Sequence, residues 1–142
     1  SQVPSASTSI YSSPIYRSIA LSRSARLIPS LNGKLDGSAI RVPVTTGSVV
    51  DLTLELDKKV TKEEINEVFK QNQNETLGYT IDPIVSSDVI GETHGAIVDG
   101  LLTDVLETET GDLVKVVAWY DNEMSYSSQM VRTAKYLFKD NI

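Results

Sequence analysis

Trp119-Tyr120-Asp121-Asn122-Glu123 places a carboxamide between two carboxylates. The alternating apolar run Leu113–Tyr120 ends here and the amphipathic run Glu123–Lys139 begins, so these side chains stand at a strand-to-helix junction. Such junctions aim polar groups out of a rigid scaffold, where ligands bind. Asn122 is also a preferred helix N-cap residue. Asp121 and Glu123 have the look of an acid–base pair, but beside a helix start carboxylates more often complement the positive end of the dipole. Arg41, taken by itself, reads as a surface residue in an ion pair with Asp51 or Glu55. Ser86-Ser87-Asp88 sets hydroxyls beside a carboxylate with no base nearby, which reads as local loop hydrogen bonding. His94, the single histidine, sits in Gly91-Glu92-Thr93-His94-Gly95 and reads as a loop residue. With one His and no Cys, neither a metal site nor a thiolate nucleophile is expected.

The elements that must position these residues follow from pattern. Asn32-Gly33 and Asp36-Gly37 are turn dipeptides, and Ser38–Val44 reads as a short strand ending near Pro43. Val50, Leu52, Leu54 and Leu56 alternate with Asp51, Thr53 and Glu55, predicting a strand with one buried face. Thr61 with Glu64 forms a capping box, Val60 can staple to Ile65, and Ile65, Val68 and Phe69 make the buried stripe of a helix that fades in Gln71–Asn74. Tyr79–Val85 reads as irregular or weakly extended around Pro83. Ala96–Leu106 is strand-like with an interruption at Gly100, and Thr110-Gly111-Asp112 turns the chain into strand Leu113–Tyr120. A last helix carries Tyr126, Met130, Ala134, Leu137 and Phe138 on one side, with Lys135 and Lys139 near its negative end. The expected class is α+β: an antiparallel or mixed sheet covered by helices on one face.

A chain of 142 residues with 40% hydrophobic content suits one domain with a real core. Residues 1–30 hold ten serines, three arginines and no acid; their +3 leaves −9 on the remainder against a net −6. That acidic body argues against nucleic acid as a partner. No apolar run approaches a membrane span and the N-terminus lacks a secretory layout, so the expectation is a soluble, cytoplasmic protein without a membrane partner.

Several blocks recur in order in one family. They are Leu31-Asn32-Gly33-Lys34-Leu35-Asp36-Gly37, Arg41-Val42-Pro43, Thr46-Gly47-Ser48-Val49-Val50-Asp51-Leu52, Val85-Ser86-Ser87-Asp88, Leu113-Val114-Lys115-Val116-Val117 and Trp119-Tyr120-Asp121-Asn122-Glu123. With them, Ile28–Lys139 resembles the C-terminal catalytic domain of phosphorylating glyceraldehyde-3-phosphate dehydrogenases. The resemblance implies that Arg41 holds substrate or inorganic phosphate and that Asn122 bonds the nicotinamide carboxamide of NAD. An amide suits that task, having both donor and acceptor. Tyr126 matches a tyrosine beside the nicotinamide ring, or is one more core aromatic of the last helix. The implied partners are an aldehyde phosphate and inorganic phosphate, with a homo-oligomer or association with full-length subunits. Erythrose-4-phosphate dehydrogenase is a close sister activity, toward which Ala96-Ile97-Val98-Asp99-Gly100 leans slightly, while Tyr120 and Met124-Ser125-Tyr126 lean back to the glyceraldehyde enzyme.

The family's Gly-rich NAD-binding domain, its Ser-Cys-Thr-Thr-Asn nucleophile motif and its histidine base are absent from these 142 residues. No catalytic residue is therefore assigned, and the chain alone is expected to be inactive; a non-catalytic interaction module is the other reading. Residues 1–27 do not match in their own frame. Pro14–Ile19 read one nucleotide out of phase can encode Pro-Ser-Thr-Gly-Ala, a family motif at about this place. The segment is therefore expected to be disordered or translated out of frame, with residues 28–142 as the dehydrogenase fragment.

Overall fold

In the computed structural model, which describes residues 28–37 and 39–139, the chain divides into two compact units, Ser1–Pro43 and Val44–Ile142. In the first, a 3-10 turn at Pro29–Leu31 runs into the expected Asn32-Gly33 turn, where Gly33 takes φ 77°, a left-handed conformation that glycine adopts without strain. Asp36-Gly37 forms no turn; the Asp36 carboxylate simply accepts from the Gly37 N–H. The strand expected at Ser38–Val44 is not formed by residues 39–44. Ile40 and Val42 are each 60% exposed. β-propensity without a pairing partner does not make a strand. The expectation for residues 1–27 lies outside the described residues.

The second unit holds the sheet. Its elements are β1 (Gly47–Leu56), α1 (Lys62–Gln71), β2 (Leu77–Thr80), β3 (Ala96–Asp99), β4 (Asp104–Glu107), β5 (Asp112–Asp121) and α2 (Met124–Leu137). Strand order is β1-β5-β3-β2, with β4 also on β5. β1 pairs antiparallel with β5 along its whole length, from Gly47 opposite Asp121 to Leu56 opposite Asp112. β4 and β3 share the other edge of β5, also antiparallel. β2 lies parallel to β3, so the sheet is mixed. The apolar run Ala96–Leu106 resolves into β3 and β4, and Thr108–Gly111 closes the hairpin into β5. β2 begins at Leu77, ahead of the stretch read as irregular or weakly extended, and its last two residues, Tyr79 and Thr80, take the extended form.

The core sits where β5 meets α1. Val98, Val114, Val116 and Ala118 are buried together, and Leu54, Leu56, Val60, Ile65 and Phe69 pack against them. The capping box is present: Thr61 Oγ1 accepts from the Glu64 N–H at 3.1 Å and Glu64 accepts from the Thr61 N–H at 2.8 Å. The buried face expected for β1 is only half realised. Leu54 and Leu56 are half-buried beside α1, while Val50 and Leu52 are 37% and 43% exposed. Val68, expected in the stripe of α1, is also exposed.

α2 departs furthest from expectation. Its inward residues are Ser125, Ser128, Gln129 and Arg132, and its apolar side faces solvent, with Tyr126, Met130, Leu137 and Phe138 each more than half exposed. Polar bonds dock it: Arg132 donates to the Thr93 carbonyl at 2.7 Å, and Thr76 Oγ1 donates to Gln129 at 3.3 Å. Periodicity located an apolar stripe but not the direction in which it points.

Two outcomes follow. Thr61→Ala should lower unfolding free energy by about 1 kcal/mol in urea titration, through loss of the cap. Leu137→Glu should leave the melting temperature nearly unchanged and reduce binding of an apolar fluorescent dye; a large fall in melting temperature would show that the stripe of α2 is packed after all.

Candidate functional site

β5 ends at Asp121 and α2 starts three residues later, so Asn122 and Glu123 form the tight corner that the sequence pattern predicts. Asp121 is 3% exposed. Its Oδ1 accepts from the N–H of Glu123 at 2.8 Å and of Met124 at 3.0 Å. Its Oδ2 accepts from the Gly91 N–H at 2.8 Å and from Thr46 Oγ1 at 3.2 Å. Asp121 thus takes the N–H groups left orphaned at the helix start, which settles the capping question: the side chain that caps α2 is Asp121, not Asn122. Its own N–H bonds Ser125 Oγ at 3.1 Å, and that hydroxyl donates to the Glu92 carbonyl at 3.1 Å.

Asn122 is held by its backbone, its N–H donating to the Thr46 carbonyl at 2.9 Å. Its side chain is exposed and engages no described residue. Tyr126, one helical turn on, is 65% exposed, so the alternative of a core aromatic is excluded. Glu123 is exposed beside them, and its side chain does not cap the helix. Asn122 and Tyr126 are thus both solvent-exposed, the first at the corner and the second in the first turn of α2.

That corner rests on a close approach. Gly47 pairs with Asp121, and any side chain at 47 would collide with the backbone of Ser86. The Ser86-Ser87-Asp88 motif is the local loop expected: Asp88 accepts from the Val85 N–H at 2.7 Å and donates its own N–H to the Val85 carbonyl at 3.0 Å. Gly91, which serves Asp121, sits at φ 84°. His94 is a loop residue, its Nδ1 2.6 Å from Glu92 Oε1. Burial raises the pKa of Glu92, but hydrogen bonds from His94 outweigh it and the net shift is downward.

Arg41 lies in the first unit, exposed, with no ion pair among the described residues. Of the acids considered as its structural partners, Asp51 bonds Lys115 at 3.0 Å. Among the described residues no cluster of His, Asp or Glu has the makings of a metal site, and no helix is long and apolar enough to cross a membrane.

Pattern reading understated Asp121 and missed Thr46, Gly91 and Ser125. Ser125, four residues after Asp121, left a faint local signal. Gly91 and Thr46 left none, being brought in from remote segments. Three backbone N–H groups, that of Gly91 foremost, pull the Asp121 carboxyl down to about 2 from an ordinary 3.8, against the opposing effect of burial. A depressed carboxyl stabilises the fold above its unfolded value, and the contribution is lost as pH falls through the folded one. Carbon-detected NMR should therefore find the Asp121 carboxyl titrating near pH 2, with the Gly91, Glu123 and Met124 amide shifts moving together with it. A midpoint near 3.8 would show that these bonds do not form in solution.

Comparison with known proteins agrees with the motifs. The family described as "Glyceraldehyde 3-phosphate dehydrogenase, C-terminal domain" matches residues 5–122. Glyceraldehyde-3-phosphate dehydrogenase of Streptococcus pyogenes is 56% identical over 113 residues, which is 80% of this chain and 34% of that protein. The enzyme of the same name from Clostridium pasteurianum is 55% identical over 115 residues, 81% of this chain and 34% of its own length. This chain spans about a third of the length of the curated relatives it matches. By family match and by identity, the chain belongs to the glyceraldehyde-3-phosphate dehydrogenase family, within its C-terminal domain.

Proposed function

We propose that this chain supplies the phosphate- and nicotinamide-contacting part of an NAD-dependent enzyme that oxidises glyceraldehyde 3-phosphate and adds inorganic phosphate. The observation that carries the reading is the Asn122 carboxamide, fixed through its backbone and exposed with no partner among the described residues. Such an amide fits a nicotinamide, whose carboxamide is its hydrogen-bond complement. When bound, NAD accepts the hydride. The work of this chain's residues is to bond and orient the nicotinamide through Asn122 and Tyr126 and to bind phosphate through Arg41. The guanidinium of Arg41, exposed and without an ion pair among the described residues, is available for paired bonds to phosphate oxygens. Names of the relatives favour glyceraldehyde over erythrose phosphate. Membership in a glycolytic family supports a cytoplasmic site of action.

With no cysteine in 142 residues there is no thiolate to attack the aldehyde, so the chain alone binds without catalysing. Exposed apolar side chains on β1 and α2 support association with a second copy or with full-length subunits.

The test is NMR of the nitrogen-labelled chain, titrated with inorganic phosphate and with nicotinamide mononucleotide. Phosphate should shift Arg41, and the nucleotide should shift Asn122 and Tyr126. Arg41→Ala and Asn122→Ala should each abolish their own response and spare the other. Silence at both places, or measurable NAD reduction by the purified chain, would overturn the corresponding half of the proposal. Light scattering after size exclusion reads the assembly state.

A further inference from the structure

We propose that Asp121 is the positioning residue of this corner: its carboxylate fixes the backbone that carries Asn122, so that a carboxamide with no partner among the described residues is presented to the ligand in a set place. The inference rests on the reading of Asn122 as the ligand-facing group.

The Asn122 side chain is exposed and engages no described residue, so among these residues only its backbone restricts it. That backbone is restrained from both neighbours. Asn122 N–H is bonded to Thr46, and Asp121 is pinned at its own N–H by Ser125 and at its carboxylate by four donors. Those donors come from the start of β1, the loop before β3 and the first turn of α2. The carboxylate is thus a single point to which three segments of the chain each donate. None of the donors is a Lys or Arg side chain, so the charge is matched by backbone dipoles and a hydroxyl rather than by a salt bridge.

Chemistry demands an acceptor at both oxygens. An ionised carboxylate has about four lone-pair sites and no donor; a carboxamide of the same shape has one acceptor and one donor group. Asp121→Asn therefore keeps the volume and keeps an oxygen for one pair of donors, but turns an N–H group against the other. It should free either Gly91 and Thr46 or the helix start, and with it the corner. The buried aspartate at the opposite end of β5 provides the control. Asp112 is 1% exposed, accepts from the Val60 N–H at 2.8 Å, and touches nothing at this corner.

The experiment measures nitrogen relaxation of the intact chain, wild type against Asp121→Asn and Asp112→Asn. In the wild type, the Asn122 amide should show an order parameter of about 0.85; in Asp121→Asn it should fall below about 0.6, while Val114, Val116 and Ala118 stay rigid. Asp112→Asn should leave Asn122 rigid. An unchanged Asn122 in Asp121→Asn, or equal loosening in Asp112→Asn, would overturn the proposal. Should Asp121→Asn fail to fold, Thr46→Val removes one donor alone and should give a smaller fall at Asn122; no fall would overturn it. Nicotinamide mononucleotide forms a separate arm. A wild type that ignores the nucleotide refutes the ligand reading of Asn122, while relaxation still decides the role of Asp121. A wild type that responds should lose its Asn122 response in Asp121→Asn.

Discussion

The pairing of β5 with its neighbours, closed at each end by a buried aspartate, is the constraint on which the rest of this structure depends. β1 runs along the whole of one edge of β5, and β3 and β4 share the other. A ladder alone would fray at its ends, where the chain must leave the sheet and backbone donors lose their partners. At the start of β5, Asp112 takes the Val60 N–H and Lys59, binding the strand to the entry of α1; at the end, Asp121 takes donors from three segments. At Asp112, as at Asp121, bonds to the ionised form lower the pKa despite opposition from burial, the Val60 N–H being the largest contributor. The charges therefore act as multiple acceptors, and the sheet delivers its last residue to the same place each time.

What the sequence showed and what it hid divide along the range of the interactions. The capping box of α1, the alternation of β1 and β5 and the Asn32-Gly33 turn depend on neighbours within a few residues, and all were legible. β2 was legible only as weak extension, because Leu77–Thr80 is short and pairs in parallel with a strand some twenty residues away, so only the partner makes it a strand. The converse error is the stretch Ser38–Val44, which has β-branched residues but no ladder in its described part. At the site, Asn122 stood out by type and position. The Thr46 carbonyl that takes its N–H, and the Thr46 and Gly91 donors to neighbouring Asp121, come from remote segments, and no local pattern encodes their arrival.

The orientation of α2 shows a third limit. A 3.6-residue period says that one side of a helix is apolar; it does not say what lies against it. Here the sheet side is satisfied by Ser125, Gln129 and Arg132 through hydrogen bonds, which leaves Tyr126, Met130 and Leu137 outward. The same inversion explains why Tyr126 is exposed: a tyrosine facing the sheet would be buried in the core.

Exposure also bounds how strongly these groups can bind unaided. Arg41 and Asn122 both face water, where the attraction between a guanidinium and a phosphate is screened and an amide trades one water partner for another. Such contacts gain strength only where solvent is excluded around them. The described residues fix the position of Asn122 through a buried network, and none of them forms a wall that dries it. Orientation and desolvation are thus separable here, the first built into the end of β5 and the second dependent on whatever closes over it.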